Sequence, residues 1–168
     1  MVMPLIFKAL DDPEFKVTVL GLTTAGDVLH RNGIEFIGFK DLVEEGDQVA
    51  LQYGQELALE MVSSNGSVSQ EETVAYLGLS FNDLVVREGG VEQAKKEYNC
   101  KGRQAFLPIT VMRRFFKREN FQILVSTNSP RAERAAFLVA RELKIPSVCI
   151  VGLFARHEVE WICETDYG

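Results

Sequence analysis

Cysteine and histidine are scarce in this sequence, long apolar runs are missing, and there is no surplus of basic residues. Each shortage removes a class of protein. The three cysteines, Cys100, Cys149 and Cys163, show no C-x-x-C spacing, and with only two histidines, His30 and His157, they make no zinc pattern. No metal site and no disulfide framework is expected, and reduced thiols point to the cytoplasm. No apolar run approaches the roughly 20 residues that a membrane helix needs. The opening MVMPLIFKALDD has no basic region followed by a small-residue cleavage site. With 18 basic and 24 acidic residues the chain carries a net charge of −6, which argues against nucleic acid or an anionic membrane as the main partner. Neither G-x-G-x-x-G nor a Walker loop occurs, so the glycine-rich phosphate cradles are excluded and no cofactor is implied.

What is present fits one globular domain: 168 residues, 46% of them hydrophobic. Apolar residues at Met3, Leu5, Ile6, Ala9 and Leu10 keep a helical period that Asp11-Asp12-Pro13 stops. Phe15 to Leu22 and Ile34 to Phe39 read as strands, separated by the short helical stretch AGDVLHRN with Gly33 ending it. Asp47 to Ser63 reads as an amphipathic helix. Ser69 stands three residues before Glu72 in a capping-box arrangement, and the chain from Glu71 to Asn120, punctuated by Gly78, Gly89-Gly90, Gly102 and Pro108, reads as three or four helices without a strand. Phe121 to Ser126 and Ile145 to Val151 read as strands flanking a helix over Pro130 to Leu143, and LFARHEVEWI beyond Gly152 as helical. Short apolar strands alternating with helices predict an α/β, Rossmann-like parallel sheet of about four strands, with helices on both faces and a helical insertion at about 47–120.

Open parallel sheets bind ligands beyond the carboxyl ends of their strands. The richest such loop is Thr127-Asn128-Ser129-Pro130-Arg131. Ser129 before Pro130 is ordinary capping chemistry, but a helix start needs one side-chain oxygen and this loop offers three. The free amides and positive dipole of a helix start attract phosphate or carboxylate, and Arg131 and Arg134 add charge. Thr23 and Thr24 form a second capped helix start. Beyond Gly152, His157 beside Glu158 could act as acid or base, against the plainer reading of a solvated helix face. Glu71, Glu72, Asp83, Glu88 and Glu92 read as solvated charge.

FQILVSTNSPRAERAAFLVARELKIPSVCIV followed by GLFARHEVEW, with VTVLGLTTAGDVLHRNGIEFIGF upstream, resembles the N-terminal domain of GT-B-type glycosyltransferases and the related UDP-N-acetylglucosamine 2-epimerases. The resemblance implies that residues 1–168 are a single Rossmann-like domain on the acceptor side of a two-domain enzyme acting with nucleotide-sugars, inactive alone. Its opening strand would precede Met1, and a donor-binding domain would follow Gly168. Thr127 to Arg131 and Gly152 to Glu158 would line the cleft. The 2-epimerases carry an aspartate where this chain has Thr-Asn-Ser and a glutamate where it reads Val151-Gly152, so the match favours transferase over epimerase. Two other readings stand beside it. One is a stand-alone domain binding a phosphate or nucleotide ligand without catalysis. The other is an interaction domain, a homodimer, because the apolar residues between Glu71 and Asn120 exceed what a small sheet must cover and unpaired strand edges invite association.

Overall fold

A computed structural model describes residues 3–22, 24–60, 68–127 and 131–151. In chain order they form α1 (Met3–Leu10), α2 (Thr24–Arg31), two short 3-10 turns at Lys40–Leu42 and Glu45–Asp47, α3 (Gln48–Glu60), α4 (Gln70–Glu88), α5 (Val91–Lys101), a 3-10 turn at Gly102–Ala105, α6 (Ile109–Arg118), β1 (Leu124–Thr127), α7 (Ala132–Glu142) and β2 (Ser147–Ile150). By internal packing the chain divides into two units. Thr18–Cys100 is one, and Met1–Val17 with Lys101–Gly168 is the other.

The expected sheet of about four strands is not what these residues build. The described chain is mostly helical, and its one sheet has two parallel strands. Phe15–Leu22 and Ile34–Phe39 make a single parallel bridge, Leu20 with Ile37, closed by Gly21 N–H to the Ile37 carbonyl and Ile37 N–H to the Val19 carbonyl, each at 2.9 Å. The ladder stops because side chains take the next donors. Gly38 N–H donates to Asp41 Oδ2 at 2.8 Å, and Phe39 and Lys40 N–H donate to the two oxygens of Glu72, each at 3.0 Å. The apolar character that suggested a strand here reflects burial instead: Ile34 and Phe39 are buried in the unit's core.

That core is dominated by α3 and α4, packed antiparallel. Gly54 and Gly78 face each other where they cross. A Cβ on Gly54 would fall on the Val74 carbonyl oxygen, and one on Gly78 would fall on the Ala50 carbonyl oxygen. Only glycine lets the two backbones approach this closely. Gly78 therefore lies inside α4 and does not break it. Phe39 against Tyr76 and Phe81 against both Tyr53 and Tyr98 complete the packing edge to face. α4 starts at Ser69, whose Oγ accepts from Glu72 N–H at 3.2 Å, and ends at Gly89, which takes the left-handed conformation at φ 77°. The expected capping box is only half made, because the Glu72 carboxylate has gone to the 38–40 loop.

In the second unit α6 buries Val111, Met112, Phe115 and Phe116 and packs against α7. Phe121, expected to open a strand, stacks on Phe115 with ring centres 5.1 Å apart and meets Phe116 edge-on at 5.6 Å. The strand begins three residues later. β1 and β2 run parallel in the register Leu124–Ser147, Val125–Val148, Ser126–Cys149 and Thr127–Ile150, joined by α7. This is a strand, helix, strand unit of the kind the sequence pattern called for, standing alone. Arg113 Nη2 and Glu142 Oε2, 2.8 Å apart, tie α6 to the last turn of α7.

Candidate functional site

Parallel pairing sets the geometry. Because β1 and β2 point the same way and end level at Thr127 and Ile150, their exits share one rim, the place where parallel sheets receive ligands. The chain leaves β1 at Thr127 and re-enters regular structure at Arg131, the residue before α7, which makes no side-chain cap bond. Thr127 and Arg131 are both half-buried at this crest. The first N–H groups of a helix have no partner within it, and the helix dipole adds positive potential there.

Arg134, one turn into α7, supplies the feature that sequence reading did not foresee. Its Nε is fully buried and has no hydrogen-bond partner. Helical side chains lean in general toward the helix N-terminus. A buried guanidinium nitrogen without an acceptor costs on the order of 1–3 kcal/mol, more when charged.

The structure brings together only part of the predicted set. Thr127 and Arg131 flank the β1–α7 connection. Asn128, Ser129, Gly152, His157 and Glu158, and Thr23 at the other helix start, lie outside the described residues. The backbone of Thr24 opens α2 in the Thr18–Cys100 unit, so it belongs to a separate body from the crest.

Glu72 was read as solvated charge and is instead buried. Burial raises its carboxyl above the ordinary value of 4.5. The Lys40 and Phe39 N–H groups pull the other way, as does the Lys40 charge, while Asp41 reinforces the rise. With both oxygens engaged by backbone, this carboxylate fastens a loop and is not presented to a ligand. The same unit carries an open hollow of about 520 Å³ lined by His30, Gly33, Ile34, Glu35 and Phe36. Its two polar side chains, His30 and Glu35, are exposed. Among the described residues no group of three His, Cys, Asp or Glu could hold a metal ion, and no helix is long and apolar enough to cross a membrane.

Compared with known protein families, with characterised proteins and with solved structures, the chain matches none. The likeness to GT-B-type enzymes therefore rests on the quoted residues alone.

Proposed function

We propose that this chain binds an anionic ligand, a phosphate or a phosphate-bearing nucleotide, where β1 ends and α7 begins. The observation that carries the reading is the Arg134 Nε, buried without an acceptor one turn behind a helix start that Thr127 and Arg131 flank. Two cationic side chains, Arg131 and Arg134, stand at a helix start whose first turn also carries Glu133. Phosphate oxygens meet such donors with charge-assisted hydrogen bonds. The protein's three cysteines, which show no C-x-x-C spacing, suit a reducing cytoplasm, where such ligands are abundant.

Arg134→Met keeps the apolar stem and removes the donors. Calorimetric titration with inorganic phosphate, UMP and UDP-N-acetylglucosamine should show binding of at least one by the unaltered chain. The substitution should weaken it at least tenfold, at about 1.4 kcal/mol per decade, without lowering the melting temperature. An unaltered chain that binds none of the three overturns the reading.

A second reading is favoured by the shared rim of the parallel strands: the acceptor-side domain of a glycosyltransferase-like protein. Under it a sugar acceptor occupies the crest, His157 or Glu158 takes the proton of its hydroxyl, and a separate domain supplies the nucleotide-sugar. Tight binding of UDP-N-acetylglucosamine by this chain alone would decide against that division of labour and for the first reading.

A further inference from the structure

Asn32-Gly33 follows the last helical residue of α2. An asparagine before glycine is the pair in which a chain most readily attacks itself, because no Cβ shields the glycine nitrogen. The Gly33 nitrogen adds to Asn32 Cγ, the Cγ–Nδ2 bond breaks, and the Gly33 proton leaves with the departing nitrogen as ammonia. Water then opens the five-membered ring at either carbonyl, which yields aspartate or its backbone-shifted isomer, isoaspartate. Solvent is at hand for both steps. Asn32 and Gly33 are exposed, a Cβ on Gly33 would meet nothing within 4 Å, and Gly33 lines the open hollow beside His30 and Glu35.

The fold engages both nitrogens that this reaction must move. Gly33, in the left-handed conformation at φ 67°, donates its N–H to the His30 carbonyl at 3.0 Å, and the Ile34 N–H reaches the Leu29 carbonyl at 3.0 Å. These two bonds are the paired closure of a glycine-capped helix end. The leaving nitrogen is tied as well, since Asn32 Nδ2 donates to the Val28 carbonyl at 2.7 Å. Attack requires the Gly33 nitrogen to lose its proton and turn onto Cγ, so its bond to His30 has to open first. Leu29 and Ile34, whose main chains close the turn, are 4% and 5% exposed. Opening therefore also brings buried apolar surface toward water, which opposes it.

We propose that Asn32 is a modification site gated by this turn: it converts to aspartate or isoaspartate only from the opened end of α2, and the product keeps the turn from closing as before. Either product lacks the Nδ2 donor to Val28. Each also sets a carboxylate at the negative end of the helix dipole, where it is repelled. Isoaspartate adds a methylene to the main chain ahead of Gly33 and so breaks the spacing of the two closing bonds. The change is irreversible and falls at the rim of the hollow.

The test incubates the full chain in mildly alkaline buffer beside a synthetic peptide spanning Asp27 to Ile37. Mass spectrometry of digests follows conversion at Asn32 and separates it from the Asn65-Gly66 pair, which lies outside the described residues. Hydrogen exchange at the Gly33 amide measures the fraction of time for which the turn is open. The folded chain should convert at least about tenfold more slowly than the peptide, and the slowing should match the protection of that amide. Asn32→Asp, which stands for the product, should speed exchange at the Ile34 amide about two- to fivefold and leave exchange within α4 unchanged. Conversion as fast as in the peptide overturns the gate. No product in the time that exchange predicts overturns the site, and an Ile34 amide that exchanges no faster in Asn32→Asp overturns the lasting change.

Discussion

The unit from Thr18 to Cys100 has 5 basic and 14 acidic residues, a net −9, whereas the unit of Met1–Val17 and Lys101–Gly168 has 13 and 10, a net +3. The overall charge of −6 averages two bodies of opposite sign. An argument from net charge against anionic partners therefore applies to the first unit and not to the second, which is where the proposed anion site lies. Packing divides them in the same way. The acidic unit closes on itself: α3 and α4 meet backbone to backbone, and a buried carboxylate satisfies the loop at 38–40. Among the described residues of the basic unit, an apolar helix and a sheet face are exposed and the Arg134 Nε is buried without a hydrogen-bond partner. Substitutions should therefore cost stability in the first unit and binding in the second.

The hardest blow to that contrast would be a tolerant helix crossing. Gly54→Ala and Gly78→Ala each drive a Cβ onto a main-chain carbonyl that cannot move without separating α3 from α4. Overpacking ordinarily costs about 1–3 kcal/mol, and backbone clashes lie at or beyond the upper end of that range. Urea unfolding should show a loss of about 3 kcal/mol or more for either, while Gly46→Ala, with open space around the position, stays within about 0.5 kcal/mol. If Gly54→Ala is as mild as Gly46→Ala, the close crossing is wrong.

Next in size is the Glu72 fastening. Glu72→Ala strips the acceptor from two backbone donors, one of them buried, and should cost about 2–3 kcal/mol. The pH dependence has a definite sign. Because burial raises the folded-state pKa, the folded chain binds a proton more readily than the unfolded one. Stability from this group is fully present below the ordinary value of 4.5 and is lost as pH rises through the raised value. Glu72→Gln cannot titrate, so its melting temperature relative to the unaltered protein should improve as pH is taken from about 4 to 7. A difference that runs the other way would mean that the two N–H bonds outweigh desolvation.

How far these features could be read from sequence depends on the range of the interaction behind them. The start of α4 at Ser69, its end at Gly89, and the order β1, α7, β2 rest on local chemistry, on caps, glycines and apolar periodicity within a few residues, and all are present. The expected strands at 15–22 and 34–39 failed because strand-forming residues also suit a helical core, and because their ladder was ended by a carboxylate 33 residues away from Phe39. The same distance hid the role of Glu72, whose spacing from Ser69 looked complete as a local cap. Gly78 looked like punctuation because a close crossing is visible only once Gly54 is opposite it. At the candidate site Thr127 and Arg131 follow from the strand, loop, helix pattern, but the burial of the Arg134 Nε depends on packing that no spacing rule encodes.

A smaller effect should appear inside α4. Ser80 is fully buried and its Oγ has no partner. Ser80→Ala deletes an unsatisfied hydroxyl at almost no change in shape, so thermal unfolding should show a gain of about 1 kcal/mol. A loss would show that the hydroxyl is satisfied by an ordered water, and the acidic unit would be less tightly closed than its helix crossing implies.

The smallest expected change tests the other unit on its own terms. α7 ends through Lys144, which adopts φ 59° while its N–H reaches the Arg141 carbonyl at 3.1 Å and the Ile145 N–H reaches the Ala140 carbonyl at 2.8 Å. The left-handed conformation costs an L-residue with a Cβ about 1 kcal/mol that glycine does not incur. Lys144→Gly recovers this, but it loosens the unfolded chain by a comparable though smaller amount. The net gain should be about 0.5 kcal/mol, or about 1–2 °C in melting temperature for a chain of this size. Because the position lies at the opposite end of α7 from Arg131, phosphate binding should not change. A variant that gains stability and loses phosphate affinity would mean that the turn at Lys144 sets the pitch of the whole helix, and that the crest depends on strain stored at its far end.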